Sequence, residues 1–388
     1  MNGKPQICVN LCNLWLNILL LLTFNFLLLT SVFSAGTTSA NFLKIPVGVR
    51  NVAMGETGAV SFDANSIYYN PAGLGWMNKP EVTFTHNQHF RNIYYEYFSG
   101  ATPVKDWGTF GAAVYYLGMN DFQGYNDDGN LTKKLSANDT AVSLSYGNYV
   151  LGEKLEGSGL CLGANVKYIS ETLDDTSAST IGFDFGSLYT FAPAEWTLNN
   201  SLCVGAAVQN LGGSLTFESE KAAIPMNIKV GLGYAFLNTK LRPVILFDVN
   251  IPDDAEMYFS GGGEIWLRDI LALRAGYVTK GSRDTDSGIR FGVGIKGLGM
   301  TLDYAYSGFG DLGNSHRFGL TVNFETPTIF ATAAAAPDIN KIYQRGVELF
   351  NQKRYPESIL EFNKVLELDP TNKDALDYMK KANIQIKK

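Results

Sequence analysis

Met226-Asn227-Ile228-Lys229-Val230-Gly231-Leu232-Gly233-Tyr234-Ala235-Phe236 changes character at every residue. Met226, Ile228, Val230, Leu232, Tyr234 and Phe236 make one parity; Asn227, Lys229, Gly231, Gly233 and Ala235 make the other. Successive side chains of a strand point to opposite faces, so the stretch is a strand with one oily face and one polar or small face. Outward from it, the same alternation runs through residues 160–168, with Leu160, Leu162, Ala164, Val166 and Tyr168 against Cys161, Gly163, Asn165 and Lys167. It returns at 289–296, with Ile289, Phe291, Val293 and Ile295 against Arg290, Gly292, Gly294 and Lys296. No helical period competes between residues 81 and 324.

Alternation alone also suits a soluble sandwich, whose oily faces meet in a shared core. Three further features point to a membrane. The segments are about ten residues long, the length with which a tilted strand crosses a hydrocarbon core. Aromatics crowd their ends, as at Tyr94, Tyr95, Tyr115, Tyr116, Tyr189, Trp266, Tyr277, Tyr304 and Tyr306, where interfacial girdles are expected. An export signal precedes them. The segments fall at 81–87, 92–102, 108–118, 139–150, 158–171, 179–192, 200–211, 226–237, 241–250, 256–268, 270–279, 287–297, 298–307 and 315–324, about fourteen strands. Turns such as Asp127-Asp128-Gly129-Asn130 and Gly281-Ser282-Arg283-Asp284 separate them. An even count closes an antiparallel barrel with both ends on one side, expected to be the periplasm. The fold class is an all-β transmembrane barrel with an N-terminal plug and a small C-terminal α-helical repeat domain, placed in a bacterial outer membrane.

Composition agrees. Gly 40, Tyr 20 and Phe 24 stand beside only 3 His, and charged residues make up 18%, below the roughly 25% usual for soluble domains. Net charge is −6 with no dense basic block, so no nucleic-acid partner is expected. The chain opens with Lys4, an apolar run over 14–33 and the small residues Ser34-Ala35-Gly36. This reads as a signal peptide over residues 1–35, an uncleaved anchor being the alternative. Cys8 and Cys12 precede the apolar run; Cys161 and Cys203 remain and could form one disulfide.

The closing segment, Arg317-Phe318-Gly319-Leu320-Thr321-Val322-Asn323-Phe324, alternates and ends in an aromatic. It resembles the C-terminal signal recognised by the barrel-assembly machinery, which would be a partner during biogenesis. Residues 325–338, with Thr, Pro and an Ala run, read as a linker. From Ile339 the period becomes helical. Residues 339–388 resemble one tetratricopeptide repeat followed by a covering helix, with Gly346, Tyr355, Phe362 and Pro370 at matching positions. Ser358 and Val365 depart from the usual Ala. One repeat cannot bury its own face, so a partner, the barrel rim or the last helix must cover it.

Residues 36–80 are Gly-rich and do not alternate. They contain Asp63-Ala64-Asn65-Ser66-Ile67-Tyr68-Tyr69-Asn70-Pro71-Ala72-Gly73-Leu74. The run Asn70, Pro71, Ala72, Gly73, Leu74 resembles the N-terminal hatch of the long-chain fatty-acid transporter (FadL-like) barrels, and the stretch from Phe42 to Leu74 is still more similar to the PorV/PorQ family. The resemblance implies a hatch inside the barrel. Physically, Pro71 fixes its own φ and pushes Asn70 out of the helical region, and the glycines permit close backbone approach. These residues read first as what lets a plug fold.

Nothing assembles into an active site, and no enzyme activity, cofactor or metal is expected. His86 and His89 fall on or just after the first strand, at rim positions, and His316 is the third histidine. Lys167, Asp184, Lys229, Asp248, Arg274, Arg290, Lys296 and Asp303 lie on the polar parity. They are expected to line the lumen in mixed-sign pairs, because lipid excludes them from the outer face. Two functions remain open. As an assembly or secretion component of PorV type, the protein would receive exported proteins at its loops and a periplasmic partner on the helical repeat. As a channel of FadL type, it would pass hydrophobic small molecules such as fatty acids. The repeat favours the first.

Overall fold

The computed structural model describes residues 37–88, 93–126, 128–153, 158–191, 200–217, 219–237, 239–279, 288–308, 313–324, 339–369 and 372–386. The expected signal peptide, His89, the 281–284 turn, the 325–338 linker and Pro370 lie outside them. Two compact units are present, Met1–Asn323 and Phe324–Lys388.

The first is a closed barrel of fourteen strands. Numbered in chain order with two hairpins included, its strands are β1 Glu81–Gln88, β2 Ile93–Val104, β3 Gly108–Met119, β6 Ala137–Glu153, β7 Ser158–Leu173, β8 Thr176–Phe191 and β9 Ser201–Gly212. They continue as β12 Asn227–Ala235, β13 Val244–Pro252, β14 Tyr258–Leu267, β15 Leu271–Val278, β16 Gly288–Gly297, β17 Met300–Gly308 and β18 Asn314–Asn323. Every neighbouring pair is antiparallel, and β1 closes on β18 with Val82 opposite Val322. Closure leaves no unpaired edge in lipid, where an unsatisfied backbone group is costly. The fourteen alternating segments of the sequence are these fourteen strands.

Glu81 and Asn323, the two ends of the barrel, lie at one mouth, here called proximal; Gln88 and Asn314 lie at the distal mouth. On the distal side the sequence hid two additions, the hairpins β4 Phe122–Tyr125 with β5 Leu131–Leu135 and β10 Ser214–Phe217 with β11 Glu220–Ala223. Strands β6, β7 and β8 run 17, 16 and 16 residues, several more than the roughly ten a bilayer needs. The alternation predicts this excess poorly, because it does not stop where the lipid does.

The outer face carries Phe84, Phe98, Leu144, Phe185, Leu232, Phe247, Phe291 and Leu302, all exposed in the isolated chain. A surface this apolar is stable in hydrocarbon and aggregates in water. Three residues read into the aromatic girdle need correction. Tyr95 and Tyr115 are 1% and 0% exposed on the inner face, and Trp266 shares the inner parity of Glu264 and Ser260. Residue spacing shows that an aromatic sits at a strand end; the register decides which face it takes.

The segment before β1 touches inner faces all around the ring. It holds a 3-10 turn Asn41–Lys44, helix α1 Val49–Ala53, helix α2 Ser66–Tyr69 and a 3-10 turn Pro71–Trp76. A Cβ on Gly163 of β7 would come within 2.2 Å of the Pro71 carbonyl carbon, and one on Gly205 of β9 within 2.0 Å of the Ala59 oxygen. Across the ring, a Cβ on Gly262 of β14 would lie 2.3 Å from the Met54 oxygen, and one on Gly276 of β15 2.1 Å from Gly55 N. Only glycine lets the two backbones meet this closely. The small residues of the polar parity are therefore the contact ring for the inner segment.

Among its described residues the second unit has three helices, α3 Ile339–Asn351, α4 Tyr355–Leu368 and α5 Lys373–Ile386. Phe362, fully buried, stacks on Tyr378 at 5.3 Å and meets Tyr343 at 5.8 Å. A Cβ on Gly346 would fall 2.7 Å from the Phe362 ring, which explains the glycine. Tyr355 packs edge-on against Phe350 at 5.4 Å.

Candidate functional site

Of the three groups of candidate residues, the structure brings two together, the hatch motif and the polar wall; the repeat residues Gly346, Tyr355 and Phe362 belong to the second unit. Asn70 is the hinge of the motif. Its backbone is extended, at φ −159° and ψ 100°, as expected before proline. Its side-chain oxygen accepts from Ala72 N at 3.2 Å, capping the following turn, with Pro71 at the first position where its missing N–H costs nothing. Its amide nitrogen donates to Ala59 O at 2.7 Å and to Ser187 O of β8 at 3.1 Å. Gly73 sits so close to Ser61 O that a Cβ would come within 1.9 Å. Ala72 and Leu74 are fully buried. The motif thus folds the segment and ties it to the wall.

The polar wall residues form mixed-sign pairs, and several reach the inner segment. Lys167 Nζ lies 2.8 Å from Asp184 and donates to Asn210 at 2.6 Å. Asn165 joins Asp184 at 2.8 Å to the Ile67 carbonyl at 3.2 Å. Asp248 accepts from Gly58 N at 2.7 Å and Ala59 N at 3.0 Å, with Lys229 Nζ at 3.4 Å. Arg290 reaches Glu56 at 3.0 Å. Arg274 bonds Glu264 at 2.6 Å and Asp303 at 2.5 Å, and Glu264 also receives Arg50 Nε and an Arg50 terminal nitrogen at 3.0 and 2.9 Å. Near the distal mouth, Thr38 and Lys44 both bond the Asp254 carboxylate. Apart from Lys44 and Arg50 of the inner segment, which stay partly exposed, these charges are buried on faces turned to protein and not to lipid, and are stabilised by an opposite charge and further hydrogen bonds.

Arg50, Glu56, Glu264 and Asp254 were not singled out in the sequence. Glu264 could have been, since it shares the inner parity of β14 with Gly262; the others lie in irregular segments where no period marks a face. The sequence marked the inner parity only as polar or small. Instead, Phe42, Leu43, Ile67, Tyr68 and Tyr69 pack with Tyr95, Tyr97, Tyr115 and Ile169 in one apolar cluster. Tyr68 and Tyr69 satisfy their hydroxyls on the Leu43 and Val47 carbonyls.

Two histidines have described positions. His86 pairs with Glu96 at 2.6 Å, and His316 with the Tyr304 hydroxyl at 2.9 Å; all four are on the outer parity near the distal rim. Cys161 on β7 and Cys203 on β9 are free and buried, with β8 between them. Two strand spacings separate them by about 9–10 Å, beyond the reach of a disulfide. The disulfide suggested by their count does not form. Among the described residues no group of His, Cys, Asp and Glu could hold a metal ion.

An open cavity of about 750 Å³ lies at the proximal mouth beside β12, β13, β14 and β16. A second, of about 290 Å³, shares Arg50 and Trp266 with it and extends to β1 and β18.

A family model described as "Type IX secretion system protein PorV" matches residues 32–249. A UPF0164 protein of Treponema pallidum (strain Nichols) is 22% identical over 354 residues, covering 87% of this chain and 81% of its own. The toluene transporter TbuX of Ralstonia pickettii superimposes with a TM-score of 0.50 at 14% identity, covering 72% of this chain and 98% of TbuX. A Pseudomonas aeruginosa FadL homologue gives 0.42 at 11% identity, covering 76% and 100%. At such identity the likeness to TbuX is one of fold alone.

Proposed function

The chain belongs to the PorV family of type IX secretion system proteins and is an outer-membrane β-barrel, and on that footing we propose that it serves protein secretion as a docking component and not as an open channel. One observation carries the reading: the inner segment is fastened to opposite walls by Asp248, Glu264, Arg290 and Ser187, and its backbone rests on wall glycines. Moving it would strip partners from several buried charges at once, each costing about 3–5 kcal/mol. A transport cycle that repeats such a movement is slow. A rigid stopper supports a barrel whose work is done at its rims.

The rims are built for that. The distal side carries the two hairpins and the overlong β6, β7 and β8, with Tyr125, Leu131 and Leu173 exposed; we assign this side to the cell surface, where exported proteins would be received. Short proximal turns, such as 105–107 and 298–299, suit the periplasm, and in this reading the C-terminal helices work there too. Those helices, in which Gly346 lies against the Phe362 ring and Tyr355 packs on Phe350, would bind a periplasmic partner. The role is non-catalytic.

The competing reading, uptake of hydrophobic molecules such as toluene or fatty acids, draws on the fold shared with TbuX. Purified protein in vesicles should take up neither labelled fatty acid nor toluene above empty vesicles, and crosslinking in cells should recover a secretion partner with the full chain but not with one ending at residue 324. Rapid uptake with no such partner would replace docking by transport.

A further inference from the structure

We infer that the proximal cavity is a binding site for a small amphipathic anion, an apolar ring or branched chain carrying a carboxylate; the inference is independent of the secretion role. At about 750 Å³ the cavity falls within the size range of ligand sites. Its walls divide by chemistry. Val244 and Trp266 present apolar surface, both on inner parities of adjacent strands. Arg242 and Lys296 stand beside them, and Arg50 and Glu264 form its inner boundary.

The charges are unevenly satisfied. Arg50 is taken up by Glu264 at 2.9 Å, and Arg242 meets Asp269 at 3.5 Å. Lys296 has no carboxylate among the described residues; its ammonium lies over the Trp266 ring at 5.9 Å, with the Arg274 guanidinium 5.8 Å from the same ring. Arg50 also faces Asp63 at 3.8 Å, and Arg274 bonds both Glu264 and Asp303, so Lys296 is the cation of this wall left without a carboxylate partner among the described residues. With Lys296 over the indole, Trp266 and Val244 offer apolar surface to a ligand while the ammonium offers a partner for an anion next to it. A neutral ligand would gain only the first, and a hydrophilic anion only the second.

The full-length protein in phosphatidylcholine nanodiscs can be titrated with 4-(trifluoromethyl)benzoate, following its fluorine NMR linewidth. Broadening is expected with the natural protein, at least tenfold weaker binding with Lys296→Glu and with Trp266→Ala, and near-natural binding with Lys296→Arg. The neutral 4-(trifluoromethyl)benzyl alcohol should bind at least tenfold more weakly than the anion. Lys296 is exposed, so its variants should fold, which heat-dependent gel mobility checks. Equal broadening by Lys296→Glu and the natural protein, or by alcohol and anion, would overturn the site.

Discussion

The two halves of the lumen hold the same inner segment by different physics. Along β2, β3, β6 and β7 the segment is held by apolar packing, with Phe42, Leu43 and Ile67 against Tyr95, Tyr97, Tyr115 and Ile169. Along β12 to β16 it is held by charge, with Gly58 and Ala59 on Asp248, Arg50 on Glu264 and Glu56 on Arg290. Apolar packing is tolerant: a side chain of similar volume fits with little loss. Buried charge is not, because each carboxylate specifies one partner at one height in the wall. The apolar half supplies tolerant packing and the ionic half the register.

That division can be broken at its ionic side first. Asp248→Ala removes the carboxylate shared by Lys229 and two buried backbone N–H groups, and should destabilise the barrel by about 3–5 kcal/mol. Thermal unfolding in detergent reads this directly. An unchanged midpoint would mean that charge does not fasten the segment.

Truncation in the apolar half is the next largest effect. Leu43→Ala should cost about 3 kcal/mol, whereas Leu43→Met should cost less than about 1.5 kcal/mol, since volume is kept. If both substitutions cost the same, the packing there is as specific as the ion pairs, and the contrast between the halves disappears. The smallest effect belongs to Arg50 with Glu264. Arg50 remains 28% exposed to the proximal cavity, so solvent screens the pair and a double-mutant cycle of Arg50→Ala with Glu264→Gln should give coupling of about 1 kcal/mol. Added salt should reduce that coupling while leaving the Asp248 effect in place, because buried pairs are screened less.

The β strands were legible because lipid enforces a rule on every residue: one parity must be oily, so period two is written along the whole barrel, from Val82 on β1 to Val322 on β18. The candidate wall residues Lys167, Asp184, Lys229, Arg274, Arg290 and Asp303 follow from the same exclusion, since hydrocarbon leaves them only the inner face. The sequence by itself thus determined the class of fold, the order of the barrel strands and the inward face of these charged residues, though not that of Tyr95, Tyr115 and Trp266. It could not determine what they meet there. Glu56 and Arg290 are 234 residues apart, and the glycines of β7, β9, β14 and β15 read only as small until the inner segment lies on them. Alternation is a local constraint set by the solvent on each side of a strand, whereas the seating of residues 37–80 depends on strands from all round the ring arriving at one height. Only the closed tertiary structure fixes that.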